Sequence, residues 1–537
     1  MKALGFRQAN AWLHTWAGLL LGWLLYAVFL TGTLSFFQNE ISFWMKPEQH
    51  ASVPDNQSAL RLAQSMQTLA PNATQWTLTL PSERNAAAQA QWFNIGQPVV
   101  KRGGQSQTLD AGTAEPVDVR QTRGGGFLYR FHFELYGMPR VLARWIVGIA
   151  TMVMLVALVS GVITHKKIFK DFFTFRPRKG QRSWLDAHNA TAVLALPFHL
   201  MITYSGLLLL MFMLMPWGIE SAYKGNAQQF FKESGGRGSR APAPDSAKRP
   251  QVEPQEAPLT DLAPLLAQAE QRWPRGVGSI TVTNPGLSNA VIELRASGGD
   301  SLIDRGNSER LRFNGVTGVP LKSPPTPAIS TTNAIYNVFS SLHLIRFAGA
   351  PLRWFFFISG VLGTAMIATG LVLWVVKRLP ERQKLGRTPI GHRLVEVLNV
   401  GTVAGLPLAI AGYFWANRLL PAGMTQRSDW EIRGFFIIWL LCLIHPLLRT
   451  HKRAWLEQLW VCAALFAALP LFSFSYTHSH LFASLIRGQW LLAGMDLTLL
   501  ASAALFAYSA WKLNRHQPLQ RVARQPKTPP VRQEQAA

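Results

Sequence analysis

Histidine is the residue type in this sequence best suited to chemistry, and four of its 13 histidines form two related pairs. His14 and His188 each stand 18 residues before a glycine that follows Thr or Ser (32 − 14 and 206 − 188). His132 and His343 each lie a short distance before an Arg-Trp dipeptide. Neutral imidazole is a good ligand for iron, and a haem bound by two histidines needs both at a similar depth on different helices. These four residues are therefore candidate haem ligands, with His14 pairing with His188 and His132 with His343; the alternative for each is a hydrogen-bonded histidine at the membrane interface.

Four further residues have open roles. His165 competes for a ligand position on the same face of the membrane as His14, and its counterpart in the repeat described below is Trp374. His199 lies inside an apolar stretch, where an ionisable side chain is costly. It is a ligand, a proton relay or a hydrogen-bonded core residue. Arg144 and Arg353 either pair with haem propionates, since Arg binds carboxylates bidentately, or anchor the chain beside an interfacial Trp.

The composition is that of a membrane protein. Of the 537 residues, 48% are hydrophobic and only 15% are charged, and the mean hydropathy is +0.11. A soluble domain would carry about a quarter charged residues, so a single soluble core and a disordered chain are both excluded. The 19 Trp and 31 Phe fit aromatic belts at membrane interfaces. Cys442 and Cys462 form no CxxC pair, which argues against thiol redox chemistry.

Eight apolar stretches are long enough to be candidate membrane-spanning helices. They are approximately Ala11–Phe37, Val141–Thr164, Ala190–Trp217, Leu352–Val376, Leu394–Ala416, Gly434–Leu448, Trp455–Tyr476 and Trp490–Trp511. Basic residues concentrate in alternate loops, at Lys166–Arg182, Lys377–Arg393, Arg449–Arg453 and the C-terminal tail. The positive-inside rule then predicts a bacterial inner-membrane protein with both termini in the cytoplasm. The net charge of +25 is therefore a topology signal and not a sign of nucleic-acid binding.

The sequence contains an internal duplication. In addition to the histidine–glycine spacing, two Trp residues stand 16 residues before Gly161 and Gly370 (161 − 145 and 370 − 354). The polar segments between the spans repeat as well. Ala59–Leu69 and Leu259–Arg272 have helical apolar spacing, and each is followed by short alternating stretches typical of strands. The predicted unit is a span, a small α+β segment and a second span, present twice in an otherwise α-helical polytopic protein.

These patterns divide the chain into successive segments. They are a first span (1–45), a first α+β segment (46–126), the second and third spans with their basic loop (127–217), a Gly/Ser/Pro-rich linker (218–258), a second α+β segment (259–335), a fourth span (336–376), a short loop (377–393), four further spans (394–513) and a disordered basic tail (514–537). The topology places both α+β segments on the periplasmic side.

Common nucleotide and metalloprotease signatures are missing from the sequence. It has no Walker loop, no GxGxxG between a strand and a helix, and no HExxH. If the chain moves electrons, it must receive them from a quinol, from a separate reductase or from a bound flavin.

The longest patterned stretches resemble a known family. AWLHTWAGLLLGWLLYAVFLTGTLSFF (11–37), GVITHKKIFKDFFTFRPRKGQRSWLDAHN (161–189), LPFHLMITYSGL (196–207) and SGVLGTAMIATGLVLW (359–374) are similar to the PepSY-associated transmembrane family, also described as iron-regulated inner-membrane proteins. The resemblance covers roughly Phe6 to Leu420. It implies that the α+β segments are PepSY-type periplasmic domains. Characterised relatives are haem-containing reductases of ferric siderophores, so it also implies haem b held by His14, His132, His188 and His343.

We therefore expect an inner-membrane haem b oxidoreductase, with two haems, that passes electrons from the cytoplasmic side or the quinol pool to a periplasmic ferric siderophore. Reduction frees the metal because hard oxygen chelators bind Fe(II) less tightly than Fe(III). Two other functions stay open. One is a membrane scaffold whose PepSY-type domains bind a periplasmic partner, and the other is a siderophore transporter with a pathway around Asp496. The four spans after Lys377 have no role that the sequence reveals.

Overall fold

The computed structural model describes residues 5–99, 103–165, 174–226, 228–230, 254–298, 301–303, 308–322, 329–476 and 479–516. The predicted tail from 517 onward, residues 231–253 of the predicted linker and residues 166–173 of the first basic loop lie outside these ranges. Long apolar helices account for most of the described chain, and the strands form one sheet.

The helices fall into three groups along the chain. In the first half they are α1 (Phe6–Leu20), α2 (Gly22–Ser35), α3 (Gln38–Trp44), α4 (Ser58–Leu69), α5 (Gly125–Glu134) and α6 (Arg140–Thr164). In the second half they are α7 (Gln181–Leu194), α8 (Leu196–Leu214), α9 (Trp217–Tyr223), α10 (Ala263–Arg272), α11 (Thr331–Leu344) and α12 (Ala350–Leu385). The C-terminal group comprises α13 (Ile390–Asn399), a π-helical turn (Val400–Ala404), α14 (Gly405–Leu419), α15 (Arg427–Ile444), α16 (His451–Tyr476), α17 (Leu481–Ile486) and α18 (Trp490–Asn514).

Within the described ranges, seven helical segments are long and apolar enough to cross a membrane, or eight if the bent pair α1 and α2 counts as one span. The prediction of a multi-pass membrane protein is confirmed. The first predicted span differs in detail, because α1 and α2 meet at an angle of 66°. The bend falls beside Gly22, where an added Cβ would lie 2.7 Å from Leu371 Cδ2 of α12. The glycine thus permits a close approach of the two helices.

The fourth predicted span, Leu352–Val376, lies within α12. The earlier residues of the segment 336–376 fall on the separate helix α11, since Ile345 takes a left-handed φ of 48° that an α-helix cannot continue through. At its other end α12 extends to Leu385, into the predicted loop 377–393. Arg382 of this extension donates from Nη1 to Oε1 of the buried Glu396 at 2.7 Å. That ion pair holds the end of α12 against α13.

The two α+β segments share a single antiparallel sheet. Its strands are β1 (Ala73–Thr79), β2 (Ala88–Asn94), β3 (Gln105–Leu109), β4 (Pro116–Val117), β5 (Val277–Thr283), β6 (Val291–Ala296), β7 (Arg310–Asn314) and β8 (Pro320–Leu321), in the order β4-β3-β2-β1-β5-β6-β7-β8. The sequence predicted two separate α+β domains, whereas here β1 and β5 pair in the middle of one sheet. An unpaired edge strand exposes main-chain hydrogen-bonding groups, so joining the halves removes two such edges.

One face of the sheet carries the core and the other is polar. Trp76 and Leu78 of β1 alternate inward with period two and belong to the same buried cluster as Leu62 and Met66 of α4. The second half repeats this arrangement with β5 and α10. On the opposite face, the Oγ1 atoms of Thr77 and Thr281 lie 3.1 Å apart across the β1–β5 junction. The register of β1 against β5 therefore places equivalent threonines of the two halves opposite each other.

The C-terminal helices pack against α5 of the first half. Tyr413 of α14 donates its hydroxyl to the carbonyl oxygen of Gly124 at 3.0 Å, next to the start of α5. Thr122 donates to Oε2 of Glu431 at 2.5 Å, and Glu431 forms an ion pair with Arg427. Both charged side chains have no exposed surface. Arg427 and Glu431 both belong to α15, and Arg427 Nη1 also donates to the Gln121 carbonyl oxygen at 3.0 Å. The hydrogen bonds to Thr122 and Gln121 therefore hold α15 on the first half.

The shared sheet can be tested by a cross-link between its halves. In the variant Thr77→Cys with Thr281→Cys, the two new thiols face each other across β1 and β5, and the native cysteines are buried. After cleavage at a protease site inserted into the linker 218–258, we expect both fragments to migrate together on a non-reducing gel and apart on a reducing gel. The control, Gln91→Cys with Thr281→Cys, places the thiols two strands apart, at about 10 Å, and should not cross-link. Two separate domains would instead give no cross-link in either variant.

Candidate functional site

The fold brings the four predicted histidines together as two pairs. The rings of His14 in α1 and His188 in α7 have centroids 6.2 Å apart. Those of His132 in α5 and His343 in α11 have centroids 6.1 Å apart. The second pair lies on the side of the helix bundle that leads into the sheet, which we call the sheet side. The first pair lies near the opposite end of the bundle, the far side.

Every one of these rings rests on a glycine of a neighbouring helix. A Cβ added to the glycine would lie closer to ring atom Cε1 than ordinary van der Waals contact allows. The distance between these two atoms would be 3.0 Å for Gly161 and His14, 3.0 Å for Gly370 and His188, 2.7 Å for Gly32 and His132, and 3.2 Å for Gly206 and His343. Any larger residue would displace the ring. We call each such contact a histidine–glycine cradle. The glycines were noticed in the sequence only as repeat markers, and their recurrence after Ser or Thr was the available signal.

In three cradles the ring donates to the main chain. Nδ1 of His14 lies 2.8 Å from the Ala157 carbonyl oxygen, that of His188 lies 2.8 Å from Met366, and that of His132 lies 2.7 Å from Val28. Each acceptor stands four residues before the cradle glycine, so the missing Cβ opens access to it. A carbonyl only accepts hydrogen bonds. Nδ1 therefore carries the proton, and the neutral ring presents its lone pair at Nε2.

The fourth cradle reaches the same result through a hydroxyl. Nδ1 of His343 lies 2.9 Å from Ser205 Oγ. The single hydroxyl proton of Ser205 points to the Met201 carbonyl oxygen, 2.6 Å away. Ser205 thus accepts from His343, which again places the proton on Nδ1. Burial lowers the pKa of the His132 imidazole, so His132 is neutral near pH 7, the form that binds a metal.

The geometry of both pairs fits a metal between the two rings. With metal–nitrogen bonds of about 2 Å, two imidazoles on opposite sides of one metal place their ring centres about 6 Å apart. No group of three or more His, Cys, Asp or Glu in the described part of the chain could hold a bare metal ion. The protein supplies two histidine ligands at each site. This number suits a metal whose remaining ligands come from a macrocycle. Haem has this property, and the donation from Nδ1 is the usual support for a metal-binding histidine.

A cavity of about 280 Å³ adjoins the sheet-side pair. Its lining is mostly apolar and includes His132, His343, Arg144 and Arg346. Arg144 forms an ion pair with Glu134, and its Nε has no hydrogen-bond partner. An apolar cavity with a few convergent polar groups is the usual form of a cofactor site. Arg346 was missed in the sequence, although it follows His343 by only three residues.

Arg353 and two further predicted candidates lie elsewhere. Arg353 donates from Nη1 to Glu40 Oε1 at 2.9 Å and from Nη2 to the Ala348 carbonyl oxygen at 2.9 Å, and it does not line the cavity. His165 ends α6 with non-helical dihedrals, and its ring makes none of the ring contacts found among the described residues. His199 is fully buried in α8 beside Phe29. None of the three therefore belongs to either histidine pair.

The cradles can be tested with paired glycine substitutions. Gly32→Ala and Gly370→Ala should each destabilise the protein by about 1–3 kcal/mol, because the new methyl group displaces His132 or His188. Gly18→Ala is the control, since nothing lies within 4 Å of its added Cβ. In a helix that change should be neutral or stabilising by up to about 1 kcal/mol. Thermal unfolding in detergent, followed by tryptophan fluorescence, gives the comparison. An equal response of all three variants would contradict the cradle contacts.

Comparison with known proteins agrees with this architecture. The chain is 26% identical over 401 residues to the uncharacterized protein PA4219 of Pseudomonas aeruginosa, an alignment that covers 72% of this chain and 93% of that protein. Residues 11–377 match the family described as PepSY-associated TM region. That range includes both halves of the duplication, all four cradles and the whole sheet. The resemblance found in the sequence is confirmed, and the chain belongs to the PepSY-associated TM family.

Proposed function

We propose that this protein is an inner-membrane oxidoreductase that holds two b-type haems and delivers electrons to a ferric siderophore in the periplasm. The observation that carries the proposal is the pair of matched sites, with ring centroids 6.2 and 6.1 Å apart and four histidines whose Nδ1 is committed to hydrogen bonds. Bound there, haem supplies reversible one-electron chemistry. Two such sites near opposite ends of the helix bundle form a path across the membrane.

The residues around each site have defined tasks in this proposal. The four histidines would hold the haem iron, and their Nδ1 hydrogen bonds fix the ring orientation and strengthen Nε2 as a donor. The cradle glycines leave room for the rings. Arg144 and Arg346 line the sheet-side cavity, where their guanidinium groups would be available to carboxylates of the bound group. The apolar remainder of the cavity wall would exclude water.

The direction of electron flow follows from topology. Arg378 and Arg382 lie on the far-side end of α12, in the basic segment that the positive-inside rule assigns to the cytoplasm. The sheet then lies in the periplasm, where a siderophore-bound Fe(III) would arrive. The His14–His188 pair would hold the group nearer the cytoplasmic electron donor, and the His132–His343 pair would hold the group nearer the siderophore. Reduction to Fe(II) weakens the hold of hard oxygen ligands and releases the iron.

Asp496, the centre of the alternative transport function, has a partner in the structure. Its Oδ1 accepts from Trp44 Nε1 at 3.1 Å, and its side chain is buried. This contact ties α18 to α3 and gives the residue a structural role. It favours the redox proposal over a transport pathway through Asp496.

Haem counting with single histidine variants tests the proposal. The purified protein should show a reduced-minus-oxidised b-type spectrum, and a pyridine haemochrome assay should give about two haems per chain. His132→Ala and His343→Ala should each lose the sheet-side haem, and His14→Ala and His188→Ala the far-side haem, because each haem needs two axial ligands. His516→Ala, at an exposed residue, is the control and should keep both. The dithionite-reduced protein should be reoxidised by a ferric siderophore.

Two results would contradict this function. A colourless protein, purified from cells supplied with haem, would remove the electron path and favour a PepSY scaffold that binds a periplasmic partner. Haem-containing protein that stays reduced in the presence of ferric siderophores would remove the substrate class while leaving the haem sites in place.

A further inference from the structure

A second group of chemically able residues lies at the far side, where α12, α13 and α16 meet. It consists of Trp374, His392, Glu396 and His451, and we call it the far-side cluster. The rings of Trp374 and His392 have centroids 6.0 Å apart. His392 Nε2 lies 3.5 Å from Glu396 Oε1, at ion-pair distance. None of these residues takes part in the two histidine pairs.

Among the residues that the structure describes, three nitrogen atoms of this cluster are buried without a hydrogen-bond partner. They are Trp374 Nε1, His392 Nε2 and His451 Nδ1. The contact of His392 with Glu396 lacks hydrogen-bond geometry, and His392 is only 6% exposed. A buried polar atom left unpaired costs about 1–3 kcal/mol. A ligand with oxygen atoms would give these nitrogen atoms partners.

Neighbouring polar groups at the same helix contact are fully paired. Trp23 Nε1 donates to Asn399 Oδ1 at 2.9 Å, and Asn399 Nδ2 donates to the Leu371 carbonyl oxygen at 3.0 Å. The unpaired atoms of the far-side cluster are therefore not a general property of this contact. Trp374 also occupies the position that is His165 in the first half (370 − 161 equals 374 − 165). The cluster thus has no equivalent in the first half.

The far-side cluster is adjacent to the far-side histidine pair. The cradle glycine of His188 is Gly370. Trp374 follows it by four residues on α12, one turn and about 6 Å further along the axis. An electron donor bound at Trp374 would therefore lie next to the site that electrons enter. The outer face of α13 is apolar, with Ile390 89% exposed and Leu394 56% exposed, so a ligand can approach from the lipid.

We propose that the far-side cluster binds the head group of a membrane hydroquinone, which is the electron donor. This inference rests on the proposed function and names its reductant. A hydroquinone has an apolar ring and two hydroxyl groups. Trp374 Nε1 donates to one oxygen, and His392 Nε2 takes the proton of a hydroxyl, with the Glu396 carboxylate beside it to balance the charge. Arg382, bound to Glu396 at 2.7 Å, keeps that carboxylate in place.

The redox balance is complete with the substrates named. One hydroquinone loses two electrons and two protons and becomes the quinone. The two electrons reduce two siderophore-bound Fe(III) ions to Fe(II), one after the other. Both protons pass through the His392–Glu396 pair to the cytoplasm. No further oxidant or reductant is needed.

Photolabelling locates the ligand without relying on turnover. An azido-quinone should cross-link to peptides that contain Trp374 or His392, and excess decyl-ubiquinol should compete with it. Trp374→Phe and His392→Leu should each weaken labelling by about tenfold, the effect of one hydrogen bond to a bound ligand. Trp511→Phe, at an exposed far-side tryptophan of α18, is the matched control and should label normally.

Stopped-flow reduction gives the second measurement. Decyl-ubiquinol should reduce the haem of Trp374→Phe and His392→Leu about tenfold more slowly than that of the parent protein, while dithionite should reduce all three equally. A merely structural role would slow both reductants alike and would overturn the proposal. Labelling confined to another site would also overturn it, as would displacement of the label by anionic phospholipid but not by quinol. A colourless protein that still labels at the far-side cluster would support the quinone site and contradict only the haem function.

Discussion

The rest of the structure depends on one contact, the donation of an imidazole N–H to a main-chain carbonyl oxygen beside a glycine. It settles three things at once: the tautomer of the ring, its direction and the distance between two helices. In each half the cradles join helices of that half, since His14 rests on Gly161 and His188 rests on Gly370. The ring pairs, however, cross between the halves. Each half therefore orients its own histidines, and a two-histidine site exists only where the halves meet.

The sheet, like the two-histidine sites, is complete only where the two halves meet. Each half supplies a helix and four strands, and the contact at β1 and β5 completes both. The residues facing each other there, Thr77 and Thr281, come from equivalent strands. The strand pair and the packing of α2 against α12, where Gly22 meets Leu371, thus fix the relative position of the halves. The predicted linker between the halves therefore does not need to determine their relative position, whatever its length.

Much of this could be predicted from sequence because the duplication supplied a comparison within one chain. The four candidate histidines followed from the repeat, since His14 and His188 stand at equal intervals before a glycine and His132 and His343 both lie upstream of an Arg-Trp dipeptide. Pairing between β1 and β5 could not be predicted, since about 200 residues separate these strands and local periodicity does not encode a partner. The bend between α1 and α2 at Gly22 could not be predicted either, because the apolar content of a segment does not show where its helix axis changes direction. The role of the cradle glycines became visible only when each glycine was found against a ring.

The C-terminal helices make the surroundings of the sheet-side pair asymmetric. They cover α5, where Phe127 packs at 5.1 Å from both Tyr413 and Phe435, and so support the helix that carries His132. The equivalent helix α11, which carries His343, packs on α8, with Phe339 at 5.3 Å from Tyr204. The two histidines of the sheet-side pair therefore lie in different packing environments, although the duplication makes them equivalent. Added helices on one side are thus a physical means of giving equivalent residues of a duplicated protein different surroundings.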